Sequence, residues 1–396
     1  MIQRLIDNNQ IKIFFQPIIS LKNNKIFAFE ALTRAYDGNE ELISPIELFI
    51  QAGKENVSNT LDSYVRELAL IKFLEYYKND NDLMLFLNFE STFIDSEEHN
   101  DFLETVQKYG INPSNLVLEI KEDEIRDNNS IKKFVDFYKK HGFIIAIDDF
   151  GTGYSSFDRL ALIKPDIVKI DRSLIYNVNQ NFVNSEILRA LANMCHKIGA
   201  LVLAEGVESE SEILECMTKE VDVFQGFFFS KPKDSINAYI NDTIYSSIKK
   251  IGIAYKQNIN TLIQNKKIIL NESKVISEEI TKILNNTNDN DKLKKIISSN
   301  ERLEAIYIID YMTGLQINDT ISNIEESTLF KAMQKGHDHS LKGYFFIAKN
   351  SSRSDYLSSI YVSKASGNIC RTYSSIITIK DIKYILCLDI INNEEL

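Results

Sequence analysis

Eight short apolar runs, separated mostly by segments with helical spacing, fill residues 1 to about 235 and narrow the fold more than any other feature. The runs are IKIFFQ, IFAFEAL, LMLFLNF, LVLEI, FIIAI, DIVKI, ALVLAE and VFQGFFF. Each has the length of a β-strand, and helical repeats such as Leu61, Val65, Leu68 and Ile71 lie between them. Ser44 followed by Pro45 predicts a helix start, with a capping hydroxyl and a proline at the first helical position. Eight strands alternating with helices fit one α/β barrel of the (β/α)8 type, which takes about 250 residues as a single unit.

The ends of the runs say more than their middles. Glu30, Asn88, Glu119, Asp148, Lys169, Glu205 and Gln225 each lie within or at the C-terminal end of a different run. In a βα barrel those ends converge on one face, where sites are built. Strands that reach solvent also end in polar residues, but that accounts for one or two positions, not for a set this rich in carboxylates and amides. The stretch FIIAIDDFGTGYSS carries a buried run straight into Asp148 and Asp149. Adjacent unpaired carboxylates at the edge of a core are costly, so a cation is expected against them. Glu30, Glu119 and Asp148, with the amide oxygen of Asn88, form an oxygen-only donor set suited to Mg2+ or Mn2+. Regular alternation would point Asp149 away from Asp148, and the Gly-Thr-Gly turn is expected to bend the backbone so that Asp149 reaches a second ion. Lys169 brings a cation to the cluster, as a structural salt bridge, a catalytic group or both.

Charge and composition close off other classes. A formal net charge of −11 argues against a polyanion such as DNA as the main ligand, while a small phosphate held through metals stays compatible with it. No apolar run is long enough to span a bilayer, and MIQRLIDNNQ has no signal-peptide core, so a cytoplasmic protein is expected. Cys195, Cys216, Cys370 and Cys387 are far apart with no CxxC pair, which reads as reduced core residues and not as a zinc site.

After Pro232 the pattern changes. Isoleucines at three- and four-residue steps predict a long amphipathic helix over 235–264, with helical pattern continuing to about Leu284. The polar run NNTNDNDK marks a loop, a further helix is expected near Leu293 to Leu303, and AIYIID, LQIN, YLSSIYVSK, ICRTYSSIIT and KYILCLDI read as strands. The expected organisation is a barrel over 1–235, a helical linker over 236–300 and a small α+β domain over 301–396. His337 and His339 in HDH read as a polar loop before a helix, since no further metal-ligand pattern follows.

The ordered motifs FFQPIISL, FEALTR, LFLNFE, LVLEIKEDEI, IDDFGTGYSSFDRL, IKPDIVKIDRSLI, LAEGVES and VFQGFFFSKP resemble those of the EAL domain, the bacterial phosphodiesterase module that cleaves cyclic di-GMP. The resemblance covers residues 1 to about 235. It implies a modified TIM barrel in which Glu30, Asn88, Glu119 and Asp148 hold one divalent metal and Asp148 bridges to a second bound by Asp149. It gives Lys169 and Glu205 water-orienting and base-like roles, and makes Glu122 the anchor of the Gly-Thr-Gly loop. Gln225 would hydrogen-bond near the metal waters, Arg34 would contact phosphate, Gln16 and Pro17 would line the mouth, and Asp171 and Glu208 would support substrate binding. The implied reaction is hydrolysis of cyclic di-GMP to linear pGpG by a water activated by two Mg2+ or Mn2+ ions. One departure is Lys121, where the family usually has threonine; it is expected to point away from the face of Glu119. The alternatives are a receptor that binds cyclic di-GMP without cleaving it and a signalling scaffold; intact ligand and loop motifs favour the enzyme. The C-terminal strands resemble a PAS- or Cache-like sensor domain, as in the YkuI-like architecture, with an unknown small ligand or partner. The family resemblance also implies a homodimer.

Overall fold

The computed structural model describes residues 1–396 except 40, 95–98, 122–126, 153–156, 240–241, 288–289, 323–330, 351–354, 364–365 and 393–396. Two compact units divide the chain, Met1–Ile259 and Asn260–Glu395.

In the first unit all eight expected runs are strands. They are β1 (Ile11–Ser20), β2 (Lys25–Tyr36), β4 (Met84–Phe89), β5 (Leu116–Lys121), β6 (Ile144–Phe150), β7 (Ile167–Ile170), β8 (Leu201–Ala204) and β9 (Val223–Phe224), with a short β3 (Leu42–Ile43) beside β2. The ring closes in the order β1-β2-β4-β5-β6-β7-β8-β9 and back to β1. Six neighbouring pairs, from β2–β4 to β8–β9, are parallel, whereas β1 runs antiparallel to both β2 and β9. The reason is local: only Leu21–Asn24 join β1 to β2, which suffices for a hairpin and not for a crossover helix.

The barrel interior holds one apolar side chain from each strand: Ile18, Ala28, Phe86, Val117, Ala146, Ile167, Leu203 and Val223. Neighbours one residue away, such as Leu116, Leu118, Ile145, Ile147 and Val202, pack outward with the helices. This period-two alternation makes a plug inside and a second core outside. The helix Pro45–Lys54 starts as expected: Ser44 Oγ accepts from Glu47 N at 3.2 Å while Glu47 accepts from Ser44 N at 3.3 Å, a reciprocal cap that contributes about 1 kcal/mol. The long helix begins at Asp242, later than its stripe predicts, because Ile236 turns into the barrel core within a 3-10 turn.

The second unit opens with the C-terminal part of the helix Asp242–Asn286, followed by the helix Asn290–Ser299. Its antiparallel sheet contains β10 (Leu303–Asp310), β11 (Ile321–Ser322), β12 (Asp355–Leu357), β13 (Tyr361–Val362), β14 (Ile369–Ile379) and β15 (Ile382–Ile391), ordered β11-β10-β15-β14-β12 with β13 also on β14. One face packs Ile306, Ile308, Leu386 and Leu388 against Ile280, Leu284, Leu293 and Ile297. The other carries Tyr307, Ile309, Ile385 and Cys387 against Phe345 and Ala348 of the helix Gly343–Asn350. LQIN, expected as a strand, makes only isolated bridges among the described residues, from Gln316 to Ile309 and from Leu315 to Asp338. The side chain of Asn318 takes the Ile308 N–H at 2.9 Å, which interrupts a regular ladder there. All four cysteines are free and buried. No helix among the described residues is long and apolar enough to cross a membrane.

Candidate active site

Two residues along each strand from the apolar plug, the inward positions turn polar. On β2 and β4–β9 these are Glu30, Asn88, Glu119, Asp148, Lys169, Glu205 and Gln225, with Glu205 and Gln225 just past their strands. On the antiparallel β1 the corresponding step runs backwards from Ile18 to Gln16, which faces Glu30 in the strand register. One ring of eight polar side chains therefore caps the plug, one per strand.

Lys169 stands at its centre. Its Nζ lies 2.5 Å from Glu119 Oε1, 2.7 Å from Glu205 Oε1, 2.8 Å from Asp148 Oδ1 and 3.8 Å from Glu30 Oε1. Gln225 donates to Glu30 Oε2 at 2.6 Å and to Gln16 Oε1 at 3.4 Å, and Asn88 donates to Glu30 Oε1 at 3.2 Å. Gly226 lets this end of the barrel close, since a Cβ there would overlap the Val207 backbone, whose N–H donates to Gln225 O at 3.1 Å.

Four carboxylates around one ammonium leave surplus negative charge in a dry place. Burial, and then the Glu30 charge, push Glu119 well above the usual carboxylate range. Burial does the same to Glu205 against the opposing pull of Lys169. Burial alone would lower the Lys169 ammonium, but Asp148, Glu119, Glu205 and Glu30 together raise it well above its ordinary value. Glu119 Oε2 is buried with no hydrogen-bond partner among the described residues. An oxygen-rich donor set with an orphaned buried oxygen is what a hard divalent cation requires, so these residues fit Mg2+ or Mn2+.

Asp149 reaches the cluster by breaking the strand. It adopts φ 56° and the β6–β7 register shifts between Ile147 and Phe150, so its carboxylate does not follow the alternation. Ligand oxygens of Asp148, Asp149 and Glu205 all lie within 4.8 Å of one another. The left-handed conformation costs a non-glycine residue about 1 kcal/mol, and the bend sits at Asp149 itself, ahead of the Gly-Thr-Gly turn. Burial and the Asp148 charge push Asp149 up to about 6.

A cleft of about 670 Å3 opens over the ring, lined by Glu30, Arg34, Asn88, Lys121 and Asp148 on one side and by Ile46, Phe49 and Ile50 on another. Arg34 donates to Thr33 O at 2.7 Å. Lys121 is a correction: residues two apart share a face of a strand, so it looks into the cleft, opposite Asp148 in the register, and not away from the face of Glu119. Pro17 is buried on β1 opposite Phe29. Asp171 and Glu208 stand outside the lining of the cleft. Asp171 caps the helix Arg172–Ile175 by accepting from Ser173 N at 2.8 Å, and Glu208 pairs with Arg172 at 2.9 Å. Glu122 lies outside the described residues. Sequence reading passed over a buried pair in the cleft wall: Asp62 accepts from Arg66 one helical turn on, with the guanidinium 4.4 Å from the ring centre of Phe89 and 4.1 Å from that of Phe93. Opposite charges four apart amid Leu61, Val65 and Ala69 were the available signal.

Against known proteins, the model of the EAL domain matches residues 1–232. The chain belongs to the EAL-domain family. Its relatives include YkuI of Bacillus subtilis strain 168, an uncharacterised EAL-domain protein that is 24% identical over 374 residues, spanning 91% of this chain and 90% of YkuI. The probable cyclic di-GMP phosphodiesterase PdeB of Escherichia coli K12 is 29% identical over 236 residues, and the match spans 59% of this chain and 45% of PdeB. The crystal structure of YkuI with substrate cyclic di-GMP and calcium superposes with a TM-score of 0.80 at 22% identity, covering 99% of both chains. Klebsiella pneumoniae BlrP1, in a manganese and cyclic di-GMP complex, superposes with a TM-score of 0.52 at 25% identity over 57% of this chain and 56% of BlrP1. EAL structures thus hold divalent cations together with cyclic di-GMP, and this EAL barrel carries a buried acidic cluster at the mouth.

Proposed function

We propose that this chain is a metal-dependent phosphodiesterase that hydrolyses cyclic di-GMP to linear pGpG. The observation that carries the reading is the ring of four carboxylates gathered around Lys169 at the mouth of the barrel. Glu30, Asn88, Glu119, Asp148 and Asp149 would hold two Mg2+ or Mn2+ ions, which neutralise the surplus charge and acidify water in such sites. Glu205 is the most solvent-reachable of the four carboxylates, with 17% of its side chain exposed against 0% to 9% for the others, which supports a role for it in taking a proton from water. Lys169 holds that carboxylate in position and keeps its own proton. Gln225 fixes Glu30 from the opposite side. Arg34 offers a planar donor fork to a phosphate, and the Ile46, Phe49 and Ile50 wall suits the face of a guanine. Glu122 would anchor the loop after Phe150, and Asp171 and Glu208 would act through Arg172, which each of them borders. The second unit would tune the output of the barrel.

Incubation of the full-length chain with cyclic di-GMP and Mg2+ or Mn2+, with products resolved by chromatography, tests the reading. pGpG should accumulate with the native chain and not with Glu205→Ala. A folded native chain that binds cyclic di-GMP and leaves it intact with either ion would establish a receptor instead.

A further inference from the structure

A cavity of about 450 Å3 opens in the second unit on the sheet face that carries Tyr307. Its place follows from strand register. Asp389, on the central strand β15, lies between Ala305 of β10 and Thr372 of β14. The small Ala305 side chain leaves open the space beside the carboxylate that Tyr307 and Ile309 fill further along β10. Asp389 Oδ1 accepts from Thr372 Oγ1 at 2.8 Å, Tyr361 Oη at 3.0 Å and Tyr307 Oη at 3.4 Å.

These three donors orient the carboxylate but are all neutral, and no described residue donates to Oδ2. A buried carboxylate held this way lacks a cationic partner, and burial without one is costly. Burial raises the Asp389 carboxyl to about 6 in spite of the three hydroxyls. Two lysines, Lys331 and Lys342, line the same cavity, and neither is ion-paired to a described carboxylate. Ala332, Met333 and Val362 supply an aliphatic stretch between the polar groups. His339 is no candidate ligand: its ring nitrogens already meet Tyr344 Oη at 2.5 Å and Gln316 Oε1 at 2.9 Å, which fixes two residues of the wall.

We propose that this cavity binds a small aliphatic zwitterion, with a protonated amine received by Asp389 and a carboxylate received by Lys331 and Lys342. The amine supplies both the missing donor to Oδ2 and the missing positive charge, and charge-assisted hydrogen bonds of this kind are the strong ones. The carboxylate neutralises the lysines at the other end, so the ligand is recognised by the distance between its two charges as well as by their signs.

Calorimetric titration of the full-length chain with each common α-amino acid tests this, with alkyl amines and straight-chain carboxylates as half-molecule probes. At least one amino acid should bind, and each half-molecule should bind at least about tenfold more weakly. Asp389→Asn and Lys342→Met should each weaken that binding by about tenfold with the circular dichroism spectrum unchanged. Lys342 stands on the wall, so its variant keeps the test open even where Asp389→Asn fails to fold. The proposal is overturned if no amino acid binds at about 10 mM, if a half-molecule binds as tightly as the whole, or if the folded variants bind undiminished. Binding is read without cyclic di-GMP, so this result is independent of the hydrolysis experiment.

Discussion

The barrel and the second unit each bury a polar cluster against a sheet, and the two clusters balance their charge differently. In the barrel, Glu30, Glu119, Asp148 and Glu205 share the single ammonium of Lys169, and a buried oxygen of Glu119 is left without a hydrogen bond. In the second unit, His339, Gln316, Tyr344 and Thr320 form a neutral chain in which Gln316 Nε2 donates to Thr320 Oγ1 at 3.0 Å and Gln316 Oε1 meets His339. A neutral network closed on itself holds a fold in place and needs nothing from outside. A surplus of buried carboxylates does need something, because low dielectric raises the cost of every unpaired charge. Asp389, a buried carboxylate held by neutral hydroxyls, takes on the character of the first cluster.

The sharpest way to break this comparison is to remove the shared ammonium. Lys169→Met leaves four carboxylates with no cation, and with EDTA present it should lose about 3–5 kcal/mol of stability in denaturant unfolding. Turnover should fall by about 10^3-fold or more. Excess Mn2+ should raise the melting temperature of the native chain, since a ligand at 100 times its Kd adds about 2.7 kcal/mol. A variant as stable as the native chain in EDTA would mean that the ring carries no surplus charge, and the contrast between the clusters would be lost. Glu119→Gln is the complementary change. It removes one of the crowded carboxylates, so in EDTA it should stabilise the chain by on the order of 1 kcal/mol while abolishing turnover. A loss of stability from that substitution in EDTA would count against the same contrast.

Why the barrel ring was readable and parts of the second unit were not comes down to periodicity. Seven of the ring residues sit within or at the C-terminal ends of apolar runs, and convergence follows from parallel strands alone. Gln16 escapes that rule because β1 is reversed; the short Leu21–Asn24 link was the sign, and counting back from Ile18 finds it. Lys121, two residues after Glu119 on β5, shares its face by the same alternation. The strand break at Asp149 depends on a positive φ that no residue pattern announces. In the second unit, strands of two or three residues such as Ile321–Ser322 and Tyr361–Val362 are too short to show a period, and LQIN gave up its ladder to the Asn318 side chain. The cavity beside Asp389 depends on which residues face each other across β10, β15 and β14, and register of that kind is not written in any one strand.

A smaller effect tests whether Asp389 is the exception just described. Its carboxyl is raised by burial to about 6, above the ordinary 3.8, so the folded state favours the protonated form. Stability from this group is full below about pH 4 and is lost as pH rises through 6. Asp389→Asn cannot ionise, so its stability relative to the native chain should grow by about 1 kcal/mol between pH 5 and pH 7.5 in denaturant unfolding. His339, lowered to about 4 by burial, titrates in the opposite sense and cancels when native and variant are compared at each pH. A difference that stays flat with pH would put Asp389 among the satisfied groups of its cluster.

The smallest effect expected separates two roles for Lys121. From its place on the cleft wall opposite Asp148, its ammonium either meets the dianionic substrate or helps neutralise the carboxylate ring. The ring already has Lys169 at its centre at 2.5 to 2.8 Å from three carboxylates, and Lys121 stands only half-buried at the edge of the strand. A half-exposed charge acts on what enters the cleft more than on what is sealed beneath it. Lys121→Thr should therefore raise KM for cyclic di-GMP by about two- to fivefold, the worth of one partly exposed ion pair, and leave kcat unchanged. The gap between native and variant should narrow as salt is raised, because an interaction open to solvent is screened. Were kcat and the Mn2+ requirement to move while KM held still, Lys121 would belong to the charge balance of the ring, which would then hold two cations against its four carboxylates.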